Sequence, residues 1–231
     1  MPCLKKNLIS NPGQKAVIIQ IYNLLFKSYG RQNWWPAKSP FEVIIGAILT
    51  QNTNWSNVEK AIKGLRRKGL LSPPALRKAK LGTIASAIRP SGYYNMKAVK
   101  LKCFLHFLFS EHKGRVSNMR ISDTALLRAR LLEVKGIGPE TCDSILLYAL
   151  DKPVFVVDAY TRRLAGCMGL ADDTKSYDFI SKMFMDNLPR DTRLFNEYHA
   201  LIVRHAKNTC RKKPICSQCV LRKLKGTAHA S

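Results

Sequence analysis

Acidic residues are scarce in this chain. Its 15 Asp and Glu stand against 39 Lys and Arg, a formal net charge of +24. The isoelectric point is near 10.1. That imbalance says nothing about fold, but it predicts attraction to polyanions such as nucleic acid or an anionic membrane surface. Long apolar runs are missing as well. No segment reaches about 18 consecutive apolar residues, so no transmembrane helix is expected. The stretch VIIQIYNLLF is broken by Gln20 and Asn23, and no small-residue cleavage site follows it. It reads as a core-facing helix rather than a signal peptide, with a cytoplasmic, nucleoid-associated location as the corresponding expectation. An even cysteine count is also lacking. Of seven cysteines, Cys3, Cys103, Cys142 and Cys167 are scattered, whereas Cys210, Cys216 and Cys219 cluster near the end. Without a secretion signal, a metal site is a stronger reading of that cluster than disulfides.

What is present is hydrophobic residue in quantity, 46% of 231 residues, enough for one large domain or two small ones with a proper core. Its periodicity is mostly helical. Apolar positions recur at helical spacing over 14–29, in PFEVIIGAILTQ behind Pro40, in NVEKAIKGLRRKGL and in NMKAVKLKCFLHFLFSEH. SDTALLRARLLEV starts on a Ser or Asp cap. In PETCDSILLYAL, Cys142, Ile145, Leu146, Ala149 and Leu150 fall on one helical face. One run departs from the pattern. Val154–Val157 is β-branched apart from Phe155 and reads as an extended segment, with Asp158 capping the next helix. Further helices are expected over 175–187 and 192–208. The fold class is all-α.

The turn KGIG between two helical segments carries two readings. Gly136 and Gly138 permit a sharp turn and close approach of a backbone or a phosphate. Pro139 suits a first helical turn, whose free N–H groups attract anions, with Lys135 adding charge. On Gly-Ile-Gly alone an ordinary helix–helix turn is the plainer reading. Glu140 in that first turn complements the helix dipole. An isolated aspartate such as Asp158 is ordinarily just a helix cap. Trp34, Trp35 and Pro36 are adjacent, and Trp55 follows TQNTN. Such tryptophans are either packed anchors or a stacking surface for an electron-poor, cationic base. The spacing C-x5-C-x2-C suits an iron–sulfur cluster or zinc.

Taken in order, LLEVKGIGPETCDSILLYAL and VFVVDAYTRRL resemble the helix-hairpin-helix, Gly/Pro-rich loop and catalytic aspartate of the endonuclease III superfamily of DNA glycosylases. SPFEVIIGAILTQNTNW resembles that family's first barrel helix and the loop after it, and RPSGYYNMKA its Gly-Tyr-Asn-x-Lys-Ala segment. The resemblance runs from about residue 30 to 224. It implies a six-helix barrel over 40–151, with the helix-hairpin-helix at about 122–150. A second lobe joins 1–39 to 152–231 and carries the cysteine-rich loop. It further implies a monomer acting on double-stranded DNA, with Lys135, Gly136, Ile137 and Gly138 on the backbone and the damaged base flipped into a pocket between the lobes.

By that resemblance Asp158 is the catalytic carboxylate. Glu140 stands where bifunctional members place a Schiff-base lysine, and glutamate cannot form an imine. Trp34, Trp35, Pro36 and Trp55 resemble the base sandwich of the 3-methyladenine branch, and Gln51 the residue that fills the gap in the duplex. The family's fourth cluster cysteine falls at Lys225, with no cysteine beyond it. Cys210, Cys216 and Cys219 could hold a [4Fe–4S] cluster with a non-cysteine ligand, hold zinc with His205, or be remnants. The expected activity is monofunctional excision of an alkylated purine such as 3-methyladenine. The alternatives are a glycosylase/lyase on oxidised or mismatched bases, using an amine such as Lys135, and a non-catalytic damage-binding module.

Overall fold

The computed structural model describes residues 11–211 and 213–224; Cys3 and Lys225 lie outside this range. In chain order its α-helices are α1 (Asn11–Tyr29), α2 (Pro40–Leu49), α3 (Trp55–Arg67), α4 (Pro73–Lys78), α5 (Leu81–Ala87), α6 (Tyr94–His112), α7 (Val116–Ile121), α8 (Thr124–Glu133), α9 (Pro139–Ser144), α10 (Ala159–Cys167), α11 (Tyr177–Asn187) and α12 (Thr192–Asn208). No strand forms among the described residues, so the class is all-α. Many of the starts are set by short polar side chains. Ser39, Asn54, Ser72, Asp123, Asp158, Ser176 and Asp191 each accept a backbone N–H of the helix they precede. Each cap satisfies an otherwise orphaned donor and contributes about 1 kcal/mol.

The chain divides into two compact units, Trp35–Lys152 and a unit built from Met1–Trp34 with Pro153–Ser231. In the first, α2 is central: every residue from Phe41 to Leu49 is buried. Such a helix must be enclosed on all sides, and α3, α6 and α9 pack on it. The last carbonyls of α2 find a partner from α6. Lys97 Nζ donates to Leu49 O at 2.9 Å and to Ser91 O at 2.7 Å. Burial, with Lys100 nearby, pushes the Lys97 ammonium down to about 8. Close packing of α3 against the end of α5 depends on Gly64, where a Cβ would overlap the Ala87 carbonyl oxygen. Gly64→Ala is therefore expected to cost about 1–3 kcal/mol through overpacking, read as a lowered midpoint in thermal or urea unfolding.

The helix read in PETCDSILLYAL is not uniform. After Ser144 it widens into a π-helical turn over Ile145–Ala149. The extra residue in that turn lets Leu147 be buried along with Ile145 and Leu146, which a regular 3.6-residue period does not anticipate.

The other unit is built around aromatic rings. Phe155 stacks on Phe184 with centroids 4.2 Å apart, and meets Phe195 and Tyr198 edge-on. Tyr198 Oη donates to Ile18 O at 2.8 Å, tying α12 to α1. Val154–Val157 is extended and wholly buried without joining a sheet. Two of its backbone groups are met by side chains: Ser181 Oγ donates to Phe155 O at 2.7 Å, and Val157 N donates to Tyr177 Oη at 3.3 Å. This anchoring fixes where the run ends, at Asp158.

Candidate active site and nucleic-acid interface

Helices α8 and α9 form a hairpin. Gly136 turns it at φ +92°, a conformation that disfavours a side chain, and the Lys100 stem fills the space its Cβ would take. Gly138 caps α9, and nothing lies within 4 Å of where its Cβ would be. The hairpin therefore presents open backbone at Gly138, beside exposed Lys135 and Glu140. Ile137 faces the other way: its side chain is buried and its N–H bonds to Val134 O at 3.0 Å. A buried ion pair clamps the two helices. Arg128 Nε and Nη2 donate to the two carboxylate oxygens of Asp143 at 2.7 and 3.2 Å, with the Asp143 side chain 1% exposed.

Gln51 is tied to this hairpin. Its Nε2 donates to Gly136 O at 3.0 Å and to Thr141 Oγ1 at 2.9 Å, and its Oε1 accepts from Lys100 Nζ. To enter a duplex it must first release these bonds.

Within the same unit, Trp35, Pro36 and Trp55 line a cavity of about 380 Å³ together with Glu42, Glu59 and Arg66. Gly46 makes room for the Trp35 ring; a Cβ there would come within 3.1 Å of it. Trp35 and Trp55 meet edge-to-face at 5.1 Å, and Tyr148 lies 5.2 Å from Trp35. The edge-to-face pair leaves no parallel slot between these two rings. Trp34 belongs to the other unit, where it is half-buried.

Asp158 caps α10. Its Oδ1 accepts from Tyr160 N at 2.9 Å, Thr161 N at 2.8 Å and Thr161 Oγ1 at 3.1 Å. Its Oδ2 faces His199 Nε2 at 3.6 Å. Burial pushes the carboxyl up, but the adjacent His199 imidazole and the Thr161 donors outweigh it, holding the group below the ordinary carboxylate range.

The cysteines do not converge. Cys210 is buried, Cys216 exposed, and Cys219 half-buried with its Sγ 3.6 Å from His205 Nε2. His205 Nδ1 in turn meets Tyr29 Oη at 3.0 Å. Among the described residues no three Cys, His, Asp or Glu side chains are placed to hold a metal ion.

Sequence reading missed His199, Lys97, Lys100 and Tyr148. The buried face of α12 marks His199 only once Asp158 is known to lie against it. Lys97 reads only as part of the Gly-Tyr-Asn-x-Lys-Ala segment, and the sequence pattern alone does not single out Lys100.

The model of the HhH-GPD superfamily of base excision DNA repair proteins matches residues 45–190. A DNA repair glycosylase candidate of Methanocaldococcus jannaschii is 47% identical over 208 residues, covering 89% of this chain and 94% of that protein. Endonuclease III of Sulfolobus acidocaldarius is 30% identical over 80% of this chain and 81% of its own length. Among solved structures, the 3-methyladenine DNA glycosylase of H. pylori bound to 1,N6-ethenoadenine superposes with a TM-score of 0.72, at 26% identity over 84% of this chain and 97% of that one. A non-covalent endonuclease III–DNA complex shares the fold at a TM-score of 0.78 and 21% identity, covering 94% of this chain and 95% of that one. By the span of the family match and the identity to these relatives, the chain belongs to the HhH-GPD superfamily of base excision DNA repair proteins, the DNA glycosylases of endonuclease III type.

Proposed function

We propose that the protein is a monofunctional glycosylase that hydrolyses the bond between deoxyribose C1′ and an alkylated purine such as 3-methyladenine in duplex DNA. The observation that carries this reading is Asp158, a half-buried carboxylate held ionised with one oxygen spent on the helix cap. As the C1′–N bond breaks, the bonding electrons leave with the base and positive charge develops on the sugar. The Asp158 carboxylate stabilises that cation, and water adds to C1′ while its proton passes to the carboxylate. An alkylated purine already carries positive charge, so it departs without an added acid. Its cationic ring suits the indole and carboxylate surfaces of the cavity lined by Trp35, Trp55, Glu42 and Glu59.

Support for the alkylated-purine choice comes from the H. pylori relative, whose ligand is a modified adenine. The hairpin supplies backbone and charge for one phosphodiester strand through Gly138 and Lys135, so affinity should fall steeply with salt. It operates here as a monomer on double-stranded DNA with the damaged nucleotide flipped out.

Glu140 occupies an exposed first-turn position of α9 and cannot condense with an aldehyde. Duplexes carrying 3-methyladenine, an oxidised pyrimidine or a G·T mismatch should be compared, each split with and without hot alkali. Release of the alkylated purine is expected, with strand breaks appearing only after alkali. Borohydride should trap no protein–DNA adduct above background. Efficient trapping would establish lyase chemistry through an amine such as Lys135, and release of only the oxidised or mismatched base would overturn the assigned lesion.

A further inference from the structure

Among the described residues three aspartates cap helices, and one is unlike the others. Asp123 and Asp191 are exposed and accept from the first N–H groups of α8 and α12. Asp158 makes the same kind of cap, but its side chain is only 14% exposed. A plain cap needs one oxygen and does not need burial, which opposes the charged form. The two oxygens of Asp158 are divided. Oδ1 takes all three α10 donors. Oδ2 is turned toward α12, where His199, itself 8% exposed, places Nε2 at 3.6 Å. The distance is longer than a usual hydrogen bond but within ion-pair range. The imidazole does not serve the helix start, because the backbone donors and the Thr161 hydroxyl already hold it.

We propose that His199 is a positioning residue for base release: its imidazole holds Asp158 ionised and in the rotamer that leaves Oδ2 to face the sugar cation. This rests on the reading of Asp158 as the carboxylate that stabilises that cation. His199 exchanges no proton or group with the substrate; it acts only through Asp158. Losing it leaves the α10 cap in place and removes the group that fixes the second oxygen. A purely structural role on α12 would instead lower stability without regard to what occupies position 158.

A double-mutant cycle separates these cases. Single-turnover release of N-methylpurines from methylated duplex DNA is measured for wild type, His199→Leu, Asp158→Asn and the double variant, with thermal melts of each. His199→Leu is expected to slow release by about tenfold, a loss of one charge-assisted interaction. Affinity for the same DNA should stay unchanged. His199→Gln, which keeps an N–H donor, should recover most of the rate. In the Asp158→Asn background His199→Leu should add less than about twofold. His199→Ala repeats the cycle if the leucine variant fails to fold. A wild-type rate for folded His199→Leu or His199→Ala overturns the proposal, and so does an equal loss in both backgrounds. Near-normal release by Asp158→Asn alone instead overturns the reading of Asp158, which the His199 single variants leave untouched.

Discussion

Asp158→Asn is expected to slow base release by roughly a hundredfold or more, the size of effect seen when a charge-stabilising group is removed from a closed site. Asparagine keeps the size of the side chain, and its amide oxygen can still accept from Tyr160 N, Thr161 N and the Thr161 hydroxyl. The α10 cap should survive, and the melting temperature should fall only by what the ionised carboxylate contributes. What is lost is the negative charge at position 158. Damaged-DNA affinity should hold or rise slightly, because a buried negative charge near a phosphate strand is removed. Single-turnover excision together with a binding titration checks this. A rate within a few-fold of wild type would mean that Asp158 is a cap and nothing more.

The pH dependence follows from the same contacts. Although burial raises the Asp158 carboxyl, His199 and Thr161 more than compensate, so its folded value lies below the ordinary range. The stabilisation from this lowered value is complete above the unfolded carboxylate value and is lost as pH falls through the folded one. At neutral pH the Asp158 carboxyl is therefore already ionised.

Asp143→Ala should have the largest effect on stability. Asp143 is buried at the junction of α8 and α9, and both its oxygens bind Arg128. Its removal leaves a partly buried guanidinium facing a void between the two helices of the hairpin. Breaking a buried pair from one side costs about 3–5 kcal/mol. Arg128 retains 26% exposure, so water can reach it and the lower end applies. Denaturant unfolding should show a markedly lower midpoint. Binding to undamaged duplex should weaken too, because Gly136 and Gly138 lose the frame that holds the turn. A variant that melts like wild type would show that apolar packing of Leu127, Leu131, Ile145 and Leu146 sets the hairpin without the ion pair.

Much of this molecule was legible as a linear pattern. Helical periodicity located α2, α6, α8 and α12, since buried faces recur every three or four residues whatever the helix packs against. Caps were legible for the same local reason: Asp158 bonds to N–H groups two and three residues on. The short helices α4, α5 and α7 were not read, because six or seven residues carry too little periodicity to stand out. Nor was the π turn at Ile145–Ala149, which depends on how Leu147 and Tyr148 are packed.

By itself, the sequence determined the helical class, the basic surface, the order of motifs that marks the family, and the acid at position 140 in place of an amine. These depend on residue type and on spacing within a turn or two. Only the tertiary structure decided which side chains meet: His199 with Oδ2 of Asp158, Gln51 with the hairpin, Trp35 edge-on to Trp55, and Cys219 with His205. The physical reason is that a contact between distant segments is set by the packing of whole helices. Neighbouring residues constrain only φ, ψ and the nearest hydrogen bonds, so nothing in the local pattern encodes it.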